Sequence, residues 1–281
     1  MQDLILNPNN LLLFIAAFAA GMFNGVAGGG SFLSFPALVF AGYPIVEANA
    51  TSTMALWFGS FASTYAYRHV LLGTKPEGEE ANSKLAAAAS EVTSADRAYF
   101  YALSCISIMG GVLGSVILLG TTDAVFTKIV PYLMVLATTL FALSPTINKW
   151  LKSQGKGIRL PFYAALALQF IVAIYGGYFG GGVSILMLSI MNFMGLTNIH
   201  AMNGLKSWLG SCMNGVAIAA FVVAGKIAWF PALLMAVAAI LGAYGSAILA
   251  QKIPQKIIRN FVVGIACAMT SYLFLKQWGI A

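Results

Sequence analysis

The residues best suited to chemistry in this chain are one lysine and the polar side chains that surround it in apolar sequence. Lys206 lies about one turn into an apolar segment, and no Asp or Glu follows Asp123 in the sequence. An unpaired cation in an apolar interior is costly, which makes an anionic substrate a natural partner for Lys206. The alternative is that its long side chain reaches back to the cytoplasmic interface.

Two polar clusters, NATST and MNGLKS, supply hydroxyl and amide groups in the two halves of the chain. Such groups bind oxyanions well because they donate hydrogen bonds without carrying a fixed charge. The predicted substrate ligands in these clusters are Asn49, Thr51, Ser52, Thr53, Asn203, Lys206 and Ser207. Glu47 and His200 are equivalent in the two halves, and we expect them at opposite rims, in gating or coupling or simply at the interface.

A run of three glycines occurs once in each half, as VAGGGSF and YFGGGVS. Three glycines interrupt a helix and expose amide hydrogens that need partners in an apolar interior. Ser31 and Ser184 are predicted to cap the helices that restart there, and an anion at the two helix N-termini would satisfy the free amides. Neither run continues into GKS or GKT, which excludes a phosphate loop. The predicted ligands here are Asn24, Gly28, Gly29, Gly30, Ser31, Gly180, Gly181 and Gly182.

The glycine runs belong to a longer repeat that relates the two halves. The matched pairs are Gly25 and Gly177, Gly29 and Gly181, Gly42 and Gly195, and Ala48 and Ala201. Apolar segments that are interrupted at corresponding places in two halves indicate the binding site of a membrane transporter.

The elements that must position these residues are ten apolar segments, five in each half. They are predicted at 11–27, 31–42, 50–67, 98–119, 125–143, 161–179, 183–195, 203–224, 229–250 and 257–275. The first two are shorter than a membrane span needs. We therefore predict an all-α polytopic membrane protein, one integral domain over 1–281, with repeats at 11–144 and 161–276. The short paired helices are predicted to be broken or re-entrant.

The apolar composition requires a membrane environment, and the positions of the basic residues predict how the chain is oriented in the membrane. Hydrophobic residues make up 60% of the chain and charged residues 8%, against about 25% charged in soluble domains. Most Lys and Arg residues lie in a hydrophilic connector at 68–97, between the halves, and before the last segment. These loops should be cytoplasmic, which places both termini outside and the two repeats in inverted orientation. The net charge of +7 is then explained without nucleic acid.

Other classes of function have little support in the sequence. Cys105, Cys212 and Cys267 lie in apolar stretches without metal-ligand spacing, and we expect no metal and no cofactor. No GxSxG surrounds either glycine run, so hydrolysis is not expected and the protein is predicted not to be an enzyme. An anion channel or an uptake carrier for another oxyanion or carboxylate remains an alternative to export. Stripes of small residues permit a homodimer without requiring one.

The chain resembles the sulfite exporter TauE/SafE family of membrane proteins. The resemblance rests on GMFNGVAGGGSFLSFPAL followed by EANATST, and on YGGYFGGGVSILML followed by HAMNGLKS. It implies export of small sulfur-containing anions, such as sulfite or organosulfonates, across the bacterial cytoplasmic membrane. By that likeness the substrate-lining positions are Gly28 to Ser31, Thr51 to Thr53, Gly180 to Gly182, Asn203 and Lys206. The second half departs from the first because it has no hydroxyl cluster that matches Thr51 to Thr53.

Overall fold

The computed structural model describes residues 8–26, 29–66, 97–153, 160–196, 199–249 and 255–278, and within them the chain forms ten α-helices and no strand. The helices are α1 (Pro8–Val26), α2 (Ser31–Phe40), α3 (Ile45–Ala66), α4 (Arg97–Gly120), α5 (Asp123–Ser153), α6 (Phe162–Tyr178), α7 (Val183–Phe193), α8 (Ile199–Val223), α9 (Trp229–Leu249) and α10 (Gln255–Gln277). The predicted all-helical class is confirmed. The predicted connector at 68–97 lies outside the described residues except for its last position.

The outer surface of the helices is apolar. By length and hydropathy, three stretches within the described helices suffice to cross a membrane: Ala98–Gly120, Asp123–Ile147 and Ala201–Val223. Large apolar side chains on two of them face outward, with Val116 53% and Leu136 48% exposed. A continuous apolar surface of this kind requires lipid around it, as expected of a multi-pass membrane protein.

The second glycine run forms the tip of a helical hairpin. The amide of Leu160, just before α6, donates to the carbonyl oxygen of Phe193, the last residue of α7, at 3.0 Å. The chain therefore enters and leaves this hairpin at the same end. With 17 and 11 residues, α6 and α7 are about 25 Å and 16 Å long. Each helix is therefore shorter than a hydrocarbon core of roughly 30 Å.

The first glycine run joins α1 and α2 in a related way. Helix α2 packs on α1, and Gly30 at its start lies against the carbonyl oxygen of Ala20. The ends of α2 and α7 are also alike, because Gly42 and Gly195 follow them with φ of +90° and +91°. Only glycine adopts that backbone conformation at low cost, and its position after a helix ends the helix cleanly.

Helices of one half pack on helices of the other in matched pairs. Helix α1 packs on α9 as α6 packs on α4, and α3 packs on α9 as α8 packs on α4. Glycine permits a close approach in both pairs: Gly110 in α4 lies against Phe170 of α6, and Gly242 in α9 lies against Phe18 of α1. Phe18 and Phe170 are equivalent in the sequence repeat. The repeat in the sequence therefore corresponds to a repeat in the packing.

Contacts between α3 and α8, which are equivalent in the repeat, run in opposite directions along the two helices. Thr51, near the start of α3, accepts a hydrogen bond from the amide of Ala228, which lies beyond the end of α8. Thr64, near the end of α3, forms a hydroxyl contact of 3.0 Å with Ser211 in the middle of α8. The two helices are therefore antiparallel.

Helix α5 extends beyond the segment predicted to end at residue 143. Pro145 lies inside the helix, where a proline removes the bond to the carbonyl four residues earlier. That carbonyl belongs to Phe141, and the hydroxyl of Ser144 donates to it at 2.8 Å. Because the freed oxygen has a partner, the helix continues to Ser153.

Candidate functional site

A cavity lies where the two hairpin tips meet α3 and α8. Its volume is about 90 Å³, whereas a single water requires roughly 10–15 Å³ by the same measure. Gly29 contributes from the first glycine run, and Gly180 and Gly182 contribute from the second. Both halves of the chain therefore enclose one space with room for several non-hydrogen atoms.

Ten of the predicted substrate ligands line this cavity. They are Asn24, Gly29, Ser31, Asn49, Ser52, Thr53, Gly180, Gly182, Lys206 and Ser207. Those on α3 share one face because Asn49, Ser52 and Thr53 are spaced by three and four residues along a helix. The repeat in the sequence thus indicated which parts of the chain come together.

The other predicted ligands lie away from the cavity wall or outside the described residues. Gly30 packs against the carbonyl oxygen of Ala20, and the carbonyl of Gly181 accepts a bond from the Tyr175 hydroxyl at 2.6 Å. Asn203 is half-buried in α8 but is not part of the lining. Gly28 falls outside the residues that the structure describes.

The two predicted gating or coupling residues do not line the cavity. Glu47 is half-buried in the first turn of α3. His200 lies in the first turn of α8, and its side chain is outside the described set. Their role in gating or coupling therefore stays a prediction.

Eight further residues line the cavity that were not predicted as ligands. They are Leu56, Ser60, Phe179, Val183, Ser184, Met187, Gly210 and Asn214. Helical spacing was the signal that would have found half of them: Leu56 and Ser60 continue the face of Ser52, and Gly210 and Asn214 continue the face of Lys206. The apolar members on the second hairpin carry no such signal, because nothing in the sequence distinguishes them from packing residues.

Among the described residues that line the cavity, Lys206 is the one charged residue and none is a carboxylate. Within the described part of the chain, its ammonium group has no hydrogen-bond or ion-pair partner. The charge that the described lining presents is therefore positive. A half-buried cation of this kind is stabilised by a bound anion.

The serines next to the glycine runs do not cap the helices, contrary to the prediction. Gly30 and Gly182 are the N-cap residues of α2 and α7, and neither cap has a side-chain hydrogen bond. Ser31 and Ser184 lie one and two positions further along, inside the helices. Their hydroxyls have no partner among the described residues and line the cavity.

Two side-chain contacts hold the cavity wall together. The Asn49 amide nitrogen Nδ2 donates to the carbonyl oxygen of Tyr178 at 3.1 Å, which ties α3 to the tip of the second hairpin. The hydroxyls of Ser34 and Ser52 lie 2.7 Å apart and tie α2 to α3. The position of α3 is thus set relative to both hairpins.

Thr51 was predicted as a substrate ligand, but it makes a structural contact and is not part of the described cavity lining. It is fully buried, and its Oγ1 accepts a hydrogen bond from the Ala228 amide at 3.1 Å. We predict that Thr51→Val lowers the free energy of unfolding by about 1–2 kcal/mol, because a buried amide loses its acceptor. Thermal unfolding in detergent should show a decrease in Tm, and the KM for the transported anion should stay unchanged.

Thr127→Val is the matched control for that variant, since the Thr127 hydroxyl donates to its own helix at an exposed position. Its Tm should equal that of the wild type. A Thr51→Val protein with normal Tm and a raised KM would contradict the structural assignment and return Thr51 to the binding site.

Comparison with known proteins identifies the family and several relatives of this chain. The family model described as sulfite exporter TauE/SafE matches residues 13–74 and 81–273. A probable membrane transporter protein ORF9 from Sinorhizobium sp is 28% identical over 96% of this chain and 93% of its own length. The probable membrane transporter protein YfcA of Escherichia coli K12 is 27% identical over 95% of this chain and 90% of its own length. A probable membrane transporter protein from Haemophilus influenzae is 25% identical over 95% of this chain and 94% of its own length.

No solved structure gives a significant match. The family match extends over nearly all of the sequence and includes both glycine runs and both polar clusters. The chain is a membrane transporter and belongs to the sulfite exporter TauE/SafE family.

Proposed function

We propose that this protein exports small sulfur-containing anions, such as sulfite or organosulfonates, across the bacterial cytoplasmic membrane by alternating access. The observation that carries the proposal is the cavity between the two hairpin tips, whose lining, as far as the structure describes it, includes Lys206 and no carboxylate. The family to which the chain belongs, described as sulfite exporters, supports the choice of substrate.

The two halves act as inverted repeats in this proposal. Antiparallel packing of α3 on α8 supports it, because equivalent helices of inverted repeats run in opposite directions. The matched packing of α1 on α9 and α6 on α4 gives further support. With the basic loops in the cytoplasm, the hairpin of α6 and α7 enters from inside, the hairpin of α1 and α2 enters from outside, and both termini lie outside.

Anion binding rests on Lys206 together with neutral donors. Ser31, Ser184 and Ser207 have hydroxyl hydrogens without a partner among the described residues, as do the side-chain amides of Asn24 and Asn214. These donors reach a tetrahedral or pyramidal oxyanion from several sides, while Lys206 balances its charge. The N-termini of α2 and α7 add favourable partial positive charge.

Transport follows if the two halves rock about the bound anion and open the cavity to each side in turn. Among the described residues no carboxylate lines the cavity, so an Asp or Glu proton relay is not part of the proposal. An inside-negative membrane potential favours the exit of an anion by about 2.3 kcal/mol per charge per 100 mV. That driving force suffices for export.

The test is flux in proteoliposomes that contain the purified full-length protein. Sulfite, a short alkylsulfonate, thiosulfate and a carboxylate of similar size are compared. We expect saturable flux of the sulfur anions that is accelerated by unlabelled substrate on the opposite side. Flux that neither saturates nor responds to substrate on the other side would identify a channel, and preference for the carboxylate would refute the substrate class.

A further inference from the structure

The cavity wall formed by α3 offers hydrogen-bond acceptors rather than donors. The hydroxyl of Thr53 donates to the carbonyl oxygen of Asn49 at 2.8 Å, and that of Ser60 donates to the carbonyl oxygen of Leu56 at 3.3 Å. A hydroxyl has one hydrogen. Because each hydrogen is already used within α3, Thr53 and Ser60 present only lone pairs to the cavity.

Ser52 Oγ also keeps a lone pair for the cavity. It lies 2.7 Å from Ser34 Oγ, and either hydroxyl can be the donor in that contact. Because a hydroxyl oxygen has two lone pairs, Ser52 retains at least one of them in both cases. Asn49 adds a carbonyl oxygen, since its Nδ2 is held by Tyr178 and its Oδ1 has no partner among the described residues.

The lining residues on α8 and at the hairpin tips keep their hydrogens. Lys206, Ser207 and Asn214 on α8 line the cavity without a hydrogen-bond partner in the described part of the chain. Ser31 and Ser184 at the hairpin tips are in the same state. The lining thus combines a cationic, donor-rich group of residues with the acceptor-rich face of α3.

We infer that the cavity is built for a small anion that also carries a hydrogen-bond donor, a hydroxyl or an amino group, on the carbon chain attached to its acidic group. The acidic group faces Lys206 and the free hydroxyls, and the donor reaches the lone pairs of Ser52, Thr53 and Ser60. A substrate with no donor leaves these buried acceptors without a partner, which is unfavourable. This inference rests on the proposed function and specifies its substrate.

The experiment compares two sulfonates of nearly equal size in proteoliposomes that contain the full chain. In 2-hydroxyethanesulfonate a hydroxyl stands where 1-propanesulfonate has a methyl group, and 2-aminoethanesulfonate supplies an ammonium donor. We expect the wild type to transport the hydroxyl and amino compounds with kcat/KM about tenfold above that of 1-propanesulfonate, as one satisfied hydrogen bond predicts.

Substitutions in the lining show which residues cause the preference for the hydroxyl compound. Thr53→Val keeps the shape of the side chain and removes the acceptor, so the ratio between the hydroxyl and methyl compounds should fall several-fold. Thr53→Ser keeps the hydroxyl oxygen as an acceptor and should therefore keep the wild-type ratio. Ser207→Ala on α8 should lower transport of both compounds by the same factor.

Equal transport of the hydroxyl and methyl compounds by the wild type would overturn the inference and leave the proposed function standing. An unchanged ratio in Thr53→Val, with transport still measurable, would also overturn it. If Thr53→Val does not fold, Ser60→Ala removes another acceptor on α3. An unchanged ratio between the hydroxyl and methyl compounds in Ser60→Ala would likewise overturn the inference. Failure to transport any sulfonate would instead overturn the proposed function.

Discussion

Replacement of Lys206 by glutamine is expected to reduce kcat/KM for a sulfonate about a hundredfold. Among the described residues of the cavity lining, Lys206 is the one that is charged. Removing one partner of a buried, hydrogen-bonded charge pair costs about 2–5 kcal/mol, and in this case the anion would be left without a counter-charge. Glutamine is nearly as long as lysine and keeps a hydrogen-bond donor, so the decrease in kcat/KM measures the contribution of the charge. Arginine at 206 should retain more activity than glutamine.

Lys226→Gln is the matched control for this variant. Lys226 is exposed in the loop between α8 and α9 and lies away from the cavity. Its removal should leave kcat/KM within about twofold of the wild type, because exposed charges contribute little. Transport by Lys206→Gln with the wild-type KM would show that Lys206 does not contact the substrate and that its side chain serves the membrane interface.

Alanine at Gly110 or at Gly242 is expected to lower stability by about 1–3 kcal/mol or more. A Cβ on Gly110 would lie 2.5 Å from the Cβ of Ala173 and 2.9 Å from the carbonyl oxygen of Phe170, and a Cβ on Gly242 would collide with the carbonyl oxygen of Phe18. Backbone atoms and a Cβ cannot turn away as the end of a flexible side chain can, so the helices themselves would have to move apart. In detergent, each variant should have a Tm several degrees lower than the wild type.

Gly264→Ala supplies the control, since a Cβ at that exposed position in α10 meets no atom within 4 Å. Alanine is the better helix former by about 1 kcal/mol, so this variant should be as stable as the wild type or more stable. Normal Tm in the Gly110 and Gly242 variants would contradict the close packing of α4 on α6 and of α9 on α1.

Much of the fold followed from the sequence because glycine in a membrane helix marks places where the helix ends or packs closely against another. The matched Gly42 and Gly195 end equivalent helices in nearly the same backbone conformation. The two glycine runs also marked both hairpin tips. Lys206, which lines the cavity, was a candidate ligand from the sequence because an unpaired charge in an apolar segment needs a partner.

Other features depend on contacts that no local pattern reveals. Thr51 lies in the same polar cluster as Thr53, yet it bonds to Ala228 in another part of the chain. The direction of the Thr53 and Ser60 hydroxyls also depends on helix geometry, because each bonds to the carbonyl one turn earlier. Composition predicts hydroxyls near the substrate, but only the structure distinguishes donors from acceptors.

The most direct test of the central claim asks whether both hairpin tips form one anion site. Ser31→Cys and Ser184→Cys would be made separately after replacement of Cys105, Cys212 and Cys267 by alanine. Each single cysteine is labelled with a small thiol reagent at increasing concentrations of a transported sulfonate. We predict that the anion protects both cysteines with the same half-maximal concentration. Labelling of either cysteine at an undiminished rate under saturating anion would contradict a site shared by the two halves.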